Sequence, residues 1–118
     1  MTSINNDNWV AGNYFTADNT EVGYVRSPDG TITTINVDNY VANTAKCINK
    51  ASSVTGSFGQ QGGHGYVQSA SGEISQIKIK GGVNIYPPCI SDNGLVTGNC
   101  EVKGIKRQPK YYGFIWTP

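Results

Sequence analysis

Apolar positions along this chain fall in short runs separated by Asn, Asp, Ser, Thr and Gly, without the sustained three-and-four spacing of a long amphipathic helix. "WVAGNYF", "SVTGSF" and "LVTGNC" are runs of β-forming residues centred on a glycine. Each predicts a strand whose glycine marks a bulge or the close approach of a neighbouring backbone. "GYVRS", "GYVQS" and "GFIWT" follow, each opening Gly, aromatic, β-branched, and predict second strands. In a third pattern, "DGTITTINV" and "SGEISQIKI", Ile35 and Val37 stand two apart, as do Ile77 and Ile79, so each pair shares one face of a strand. Between second and third strands stand Asp29-Gly30 and Ser71-Gly72, which predict two-residue hairpin turns with positive φ. "DNYVANTAK" and "GGVNIYPP" then cross over to the next unit, Pro87 and Pro88 arguing against an uninterrupted central strand there.

These patterns are one pattern written three times. In "INNDNWVAGNY" from residue 4, "INKASSVTGSF" from 48 and "ISDNGLVTGNC" from 90, an Ile and a Gly stand eight apart, and the starts are separated by 44 and 42 residues. The chain reads as a single domain, 1–118, of three repeats at about 4–47, 48–89 and 90–118, with the third strand pattern present only in the first two. A unit of about 40 residues with three or four antiparallel strands cannot bury both faces of its own sheet, so it must stack on copies of itself. The expected fold class is all-β, with three β-meander repeats forming propeller-like blades; a β-trefoil or a β-prism is the competing architecture. Three blades leave strand edges and an apolar face uncovered, so a ring completed by homo-oligomerisation is expected, two chains supplying six blades. "TSIN" near the start matches "KCIN" before the second unit, which predicts an N-terminal strand exchanged between chains.

The residues "GYVRSPDGTITTINV", continued by "TAKCINKASSVTGSFGQQGGHGYV", resemble the bacterial HAF-type extracellular repeat. Units of that repeat run roughly Ile-Asn, a turn, an apolar pair, Gly, Tyr or Phe, a short loop, His-Gly-Phe or His-Ala-Phe, and an Asp-Gly hairpin. The similarity covers nearly the whole chain through three units. It implies a β-propeller-like array, usually within longer secreted proteins whose biochemical role is largely unassigned, and it brings no catalytic residues with it. The chain departs from the pattern in showing no leader, in having three units, and in carrying Val22 and Tyr112 where the second unit has His64.

Composition narrows the function classes. Fifteen glycines, 37% hydrophobic and only 14% charged residues agree with short strands and tight turns. Nine Lys+Arg against eight Asp+Glu leave a net charge of +1, which lacks the field that gathers nucleic acid and argues against DNA or RNA as partner. No run approaches the roughly 18 apolar residues of a membrane span, and the first twenty residues do not read as a signal peptide. A soluble chain with no membrane partner is therefore expected. Its location stays open: the resemblance implies secretion, while three cysteines, an odd number, favour a reducing compartment.

Candidate chemistry is sparse. His64 is the single histidine and has no Ser, Cys or carboxylate at a repeating position beside it, so a rim-binding role outweighs an acid-base one. Cys47 and Cys89 share a repeat position with Ser3, and Cys100 shares one with Tyr14 and Phe58. Small or apolar core positions explain all three, with no zinc-ligand spacing and only a minor case for a Cys89–Cys100 bridge. The acids fall mostly at predicted turns, where short polar side chains satisfy local backbone. The interval from Gly98 to Gly113 is fifteen residues, against eleven and nine in the other units, and the added "EVKGIKRQPKYY" carries Lys103, Lys106, Arg107 and Lys110. Such a loop suits anion recognition, Arg107 forking onto phosphate or carboxylate. Trp9, Arg26, Gln68 and Trp116 form the second candidate set, an aromatic with a neighbouring polar group being the usual means of holding a sugar.

These residues support a non-enzymatic, self-assembling, lectin-like binding module that holds glycans or similar polar ligands between blades, with no catalytic residue, metal or cofactor assigned. The alternatives are an intracellular sequestering protein that captures an anionic or nucleotide-like signal through residues 101–112, and a structural or adhesive repeat.

Overall fold

The computed structural model describes residues 3–37, 42–59, 63–79, 82–102 and 110–117. The described residues are all-β with no helix, and their strands form three antiparallel sheets. The first holds β1 (Ser3–Ile4), β2 (Val10–Phe15), β3 (Glu21–Arg26) and β4 (Ile32–Thr34) in sequential order. The second holds β5 (Asn43–Ile48), β6 (Val54–Phe58), β7 (His64–Gln68) and β8 (Ile74–Ile77), and the third β9 (Gly82–Ile90), β10 (Val96–Val102) and β11 (Lys110–Trp116). β5 packs on β1, β2 and β3, and β9 packs on β5, β6 and β7, so the first strand of each later sheet lies across the sheet before it. β1 pairs with β2 of its own chain, Ser3 opposite Ala11 and Ile4 opposite Val10.

The repeated glycine is explained by its cross-strand partner. Gly12 lies opposite Tyr24, Gly56 opposite Tyr66 and Gly98 opposite Phe114, so each sheet sets an aromatic beside a residue without a side chain. A methyl group on Gly12 would stand 2.6 Å from the Tyr24 hydroxyl. On Gly56 it would stand 1.8 Å from the Thr44 carbonyl oxygen and 3.0 Å from the Tyr66 hydroxyl. The freed space lets Tyr66 lie fully buried with its hydroxyl donating to the Thr44 carbonyl at 3.0 Å.

One turn is used repeatedly. In residues 5–9, 16–20, 27–31, 49–53, 69–73 and 91–95 the first residue donates its N–H to the fifth carbonyl, and the fourth donates back to the first. The fourth position has positive φ in every case, at Asn8, Asn19, Gly30, Ser52, Gly72 and Gly94. This is a three-residue loop ending in a left-handed residue, not the two-residue turn that Asp-Gly suggested, because the donor pattern needs the extra residue. The first position is always Asn, Ser or Thr, whose side-chain oxygen takes the fifth N–H at Asn5, Thr16, Asn49, Ser69 and Ser91. In the turn at 27 that N–H goes to Asp29 instead.

The prolines are accommodated by a bulge. β9 runs through Pro87 and Pro88, but it is an edge strand whose register shifts between Cys89 opposite Thr97 and Tyr86 opposite Asn99. The missing N–H groups thus fall where the ladder is already broken. β5 shifts register at the matching place, between Ala45 and Cys47.

Two cores lie between sheets and use the same repeat positions. Val25 of the first sheet and Ile35, which follows β4, pack with Ile48, Val54 and Phe58 of the second. Val67 and Ile77 of the second pack with Ile90, Val96 and Cys100 of the third. Burying each such aliphatic side chain is worth roughly 1.5–3 kcal/mol, so the stacking of sheets, rather than any sheet alone, carries the stability.

Candidate functional site

Strand register divides the candidate residues between two ends of the sheets. Val10 pairs with Arg26, Val54 with Gln68 and Val96 with Trp116, which sets Arg26, Gln68 and Trp116 at one end together with Trp9, the residue before β2. His64, opposite Phe58, and Lys110, opposite Val102, stand at the other end. Lys103, Lys106 and Arg107, and with them most of the basic loop, lie outside the described residues.

At the first end a groove of about 240 Å³ opens between the first and second sheets. Trp9, Val25 and Thr33 line it from one side, Ser52, Gln68 and the turn from Ser69 to Gly72 from the other. Trp9 is half-buried against the first inter-sheet core, so its ring is held in place while part of it stays open. Two of the sequence-derived candidates, Trp9 and Gln68, are therefore brought together across the sheets. Trp116 is half-buried against the second inter-sheet core, so each core has a tryptophan at this end. Arg26 is exposed and does not line the Trp9 groove.

At the opposite end His64 is exposed and stacks on Phe58, ring centroids 5.2 Å apart and planes at 29°. Its partner is an apolar ring, not a carboxylate or a nucleophile. A second groove of about 400 Å³ runs along this end past Glu21, Asn43, Thr44, Lys46, Phe58 and Tyr86, drawing on all three sheets. Among the described residues no group of three or more His, Cys, Asp or Glu is placed to hold a metal ion, and no helix is long and apolar enough to cross a membrane.

Among the residues that join the sheets are asparagines, which sequence reasoning did not single out. Asn13 accepts from the Ala45 N–H at 2.7 Å and donates to the Ala45 carbonyl at 3.1 Å. In the other direction Asn43 accepts from the Gly23 N–H at 2.9 Å and donates to the Ile35 carbonyl at 2.8 Å. Each primary amide thus mimics a peptide group and extends hydrogen bonding from one sheet to the next. Asn5 donates to the Asn49 carbonyl and to Ser52 Oγ, both at 3.0 Å, and Asn49 donates to the Ser91 carbonyl at 2.9 Å. The Asn after the repeated Ile was visible as a sequence repeat, but its reach into the neighbouring unit is a tertiary fact.

Turn hydrogen bonds set the electrostatics of the acids. The Ser27 hydroxyl donates to Asp29, and with the Thr31 N–H it lowers the carboxyl to about 2. Thr16 lowers Asp18 in the same way. Burial pushes the Tyr66 hydroxyl well above the ordinary phenol range and the Cys47 thiol above its own. Cys100 is buried in the second core, as a small apolar position should be, but Cys47 is half-buried and Cys89 exposed, their sulfurs 3.6 Å apart. Cys89 thus lies beside Cys47, not Cys100, because first strands of neighbouring sheets pack together.

Compared with known proteins, the chain matches no family model, no curated protein and no solved structure.

Proposed function

We propose that this chain is a non-enzymatic binding module that joins head to tail with a second copy in a propeller-like ring and holds polar ligands, glycans first, in the grooves between sheets. One observation carries the assembly. Residues at the same repeat position are buried inside the stack and bare at its two ends. Ile4 is 55% exposed where Ile48 and Ile90 are 6% and 5%, and Ile115 is 72% exposed where Val25 and Val67 are 7% and 6%. Gly113 and Thr97 are likewise exposed where Gly23, Gly65, Ala11 and Thr55 are buried. Inside the chain the Val25 position of one sheet packs with the Ile48 position of the next. The bare Ile115 face and the bare Ile4 face therefore match the two halves of a contact the chain already makes twice, which supports a second copy as the occupant.

Such a contact is heterologous and closes when the rotations sum to a full turn. In a two-chain ring both junctions form together, so the second forms without a further loss of translational freedom. Ligand binding rests on the Trp9 groove: an indole held against a core offers a flat apolar face, with Gln68, Ser52 and Thr33 alongside as hydrogen-bonding groups. Native mass measurement across micromolar concentrations tests the assembly. The expected result is a dimer or larger closed species that Ile115→Asp converts to single chains. A wild-type chain that stays single throughout would overturn it.

A further inference from the structure

Cys47 and Cys89 occupy the same repeat position on the packed first strands β5 and β9, and both are free thiols. Their sulfur atoms lie 3.6 Å apart, with Cys47 Sγ 3.9 Å from the Ile90 carbonyl oxygen. The side chain at this position reaches the next sheet elsewhere too: Ser3 Oγ accepts from the Ile48 N–H at 3.2 Å. Only between the second and third sheets do thiols stand at both places. We propose that Cys47 and Cys89 are a thiol modification site, which low-molecular-weight disulfides convert to a reversible bond tying β5 to β9.

A disulfide needs its sulfurs about 2.05 Å apart, and because the two are already in van der Waals contact, side-chain rotation can close the remaining gap. The roles of the two thiols follow from exposure. Cys89 is exposed and meets the reagent first, whereas Cys47 is half-buried and reaches its neighbour rather than solvent. The Cys89 thiolate attacks one sulfur of a small disulfide, forming a mixed disulfide and releasing one small thiolate. The Cys47 thiolate then attacks Cys89 Sγ, forming the Cys47–Cys89 bond and expelling the second small thiolate. Two protein thiols are oxidised, one small disulfide is reduced to two thiols, and the two protons leave on those thiols. Cys100, sealed in the second core, takes no part. The bond would cross the junction between the second and third sheets, closing the loop from residue 47 to 89, and is independent of ring assembly.

Incubation of the chain with oxidised glutathione, followed by thiol counting under denaturing conditions and peptide mapping, tests this. The count should fall from three to one, with a Cys47–Cys89 linked peptide. The thermal midpoint should rise by about 5 °C or more and return on adding dithiothreitol. Cys47→Ser should stop at the Cys89 mixed disulfide, leaving the midpoint unraised. A count that stays at three, a wild-type chain that halts at the mixed disulfide, a bond between chains or one involving Cys100 would overturn the proposal.

Discussion

The side-chain amide of Asn5 donates to the main-chain carbonyl of Asn49, 44 residues away, at 3.0 Å. Asn49 repeats the move onto the Ser91 carbonyl at 2.9 Å, while its own Oδ1 holds the Ser53 N–H of the turn it begins. One side chain therefore shapes a local loop and fastens it to the next unit. Ser91 keeps the loop half of this role through its hydroxyl but has no amide to pass onward.

Asn49 is the buried centre of this relay, so Asn49→Ala should cost about 1–3 kcal/mol, the range for a buried group left without its partner. Asn49→Asp keeps the acceptor for Ser53 but turns a carboxylate oxygen toward the Ser91 carbonyl, and should cost at least as much. Urea unfolding of the two variants measures both. If Asp proved as stable as wild type, the bond between units would contribute nothing.

Gly56 of β6 and Gly113 of β11 differ in what surrounds them. Gly56→Ala places a methyl 1.8 Å from a backbone oxygen that cannot move without breaking the sheet, so a loss above about 4 kcal/mol, leaving little folded protein, is expected. Gly113→Ala meets, among the described residues, the Gly98 carbonyl at 3.9 Å and should change the stability of the unassembled chain by less than about 0.5 kcal/mol. Circular dichroism melts of the pair provide the contrast.

Asp29 should titrate near 2 in a carbon-detected NMR experiment, and Ser27→Ala should move its midpoint up toward the ordinary carboxyl value. Because the folded pKa lies below the unfolded one, the stabilisation is complete above the ordinary value and is lost as pH falls toward 2. A midpoint unchanged by Ser27→Ala would remove the hydroxyl as its cause.

Tyr66 gives the opposite edge of the stability profile. Burial raises its folded pKa above the ordinary value near 10, so its contribution is present below pH 10 and declines as pH rises beyond that. Tyr66→Phe should flatten the alkaline limb of the profile while costing about 1 kcal/mol at neutral pH for the lost bond to Thr44. Denaturation followed from pH 7 to 11 compares the two chains.

Glycan-array binding should be lost in Trp9→Ala and should survive Lys106→Ala combined with Arg107→Ala. Nucleotide binding that the double variant abolishes, and that weakens with added salt, would instead favour the anion-capturing reading.

Local chemistry made the strands and turns legible in the sequence. Period-two apolar positions and the Asn, Ser or Thr opening each loop act over a few residues, so the three-unit β reading and the turn positions of the acids could be taken from the letters. Even the glycine and proline breaks were visible, although the bulge that admits Pro87 and Pro88 was not. Which residues meet between units was a different matter. Asn13 on Ala45, Asn43 on Gly23, Cys47 beside Cys89 and Trp9 across from Gln68 depend on how one sheet is laid over the next, and that offset is set by two apolar cores whose partners, such as Val25 with Ile48 and Val67 with Ile90, lie on different sheets. Repetition in a chain records what each unit is; only packing between units decides what its surfaces touch.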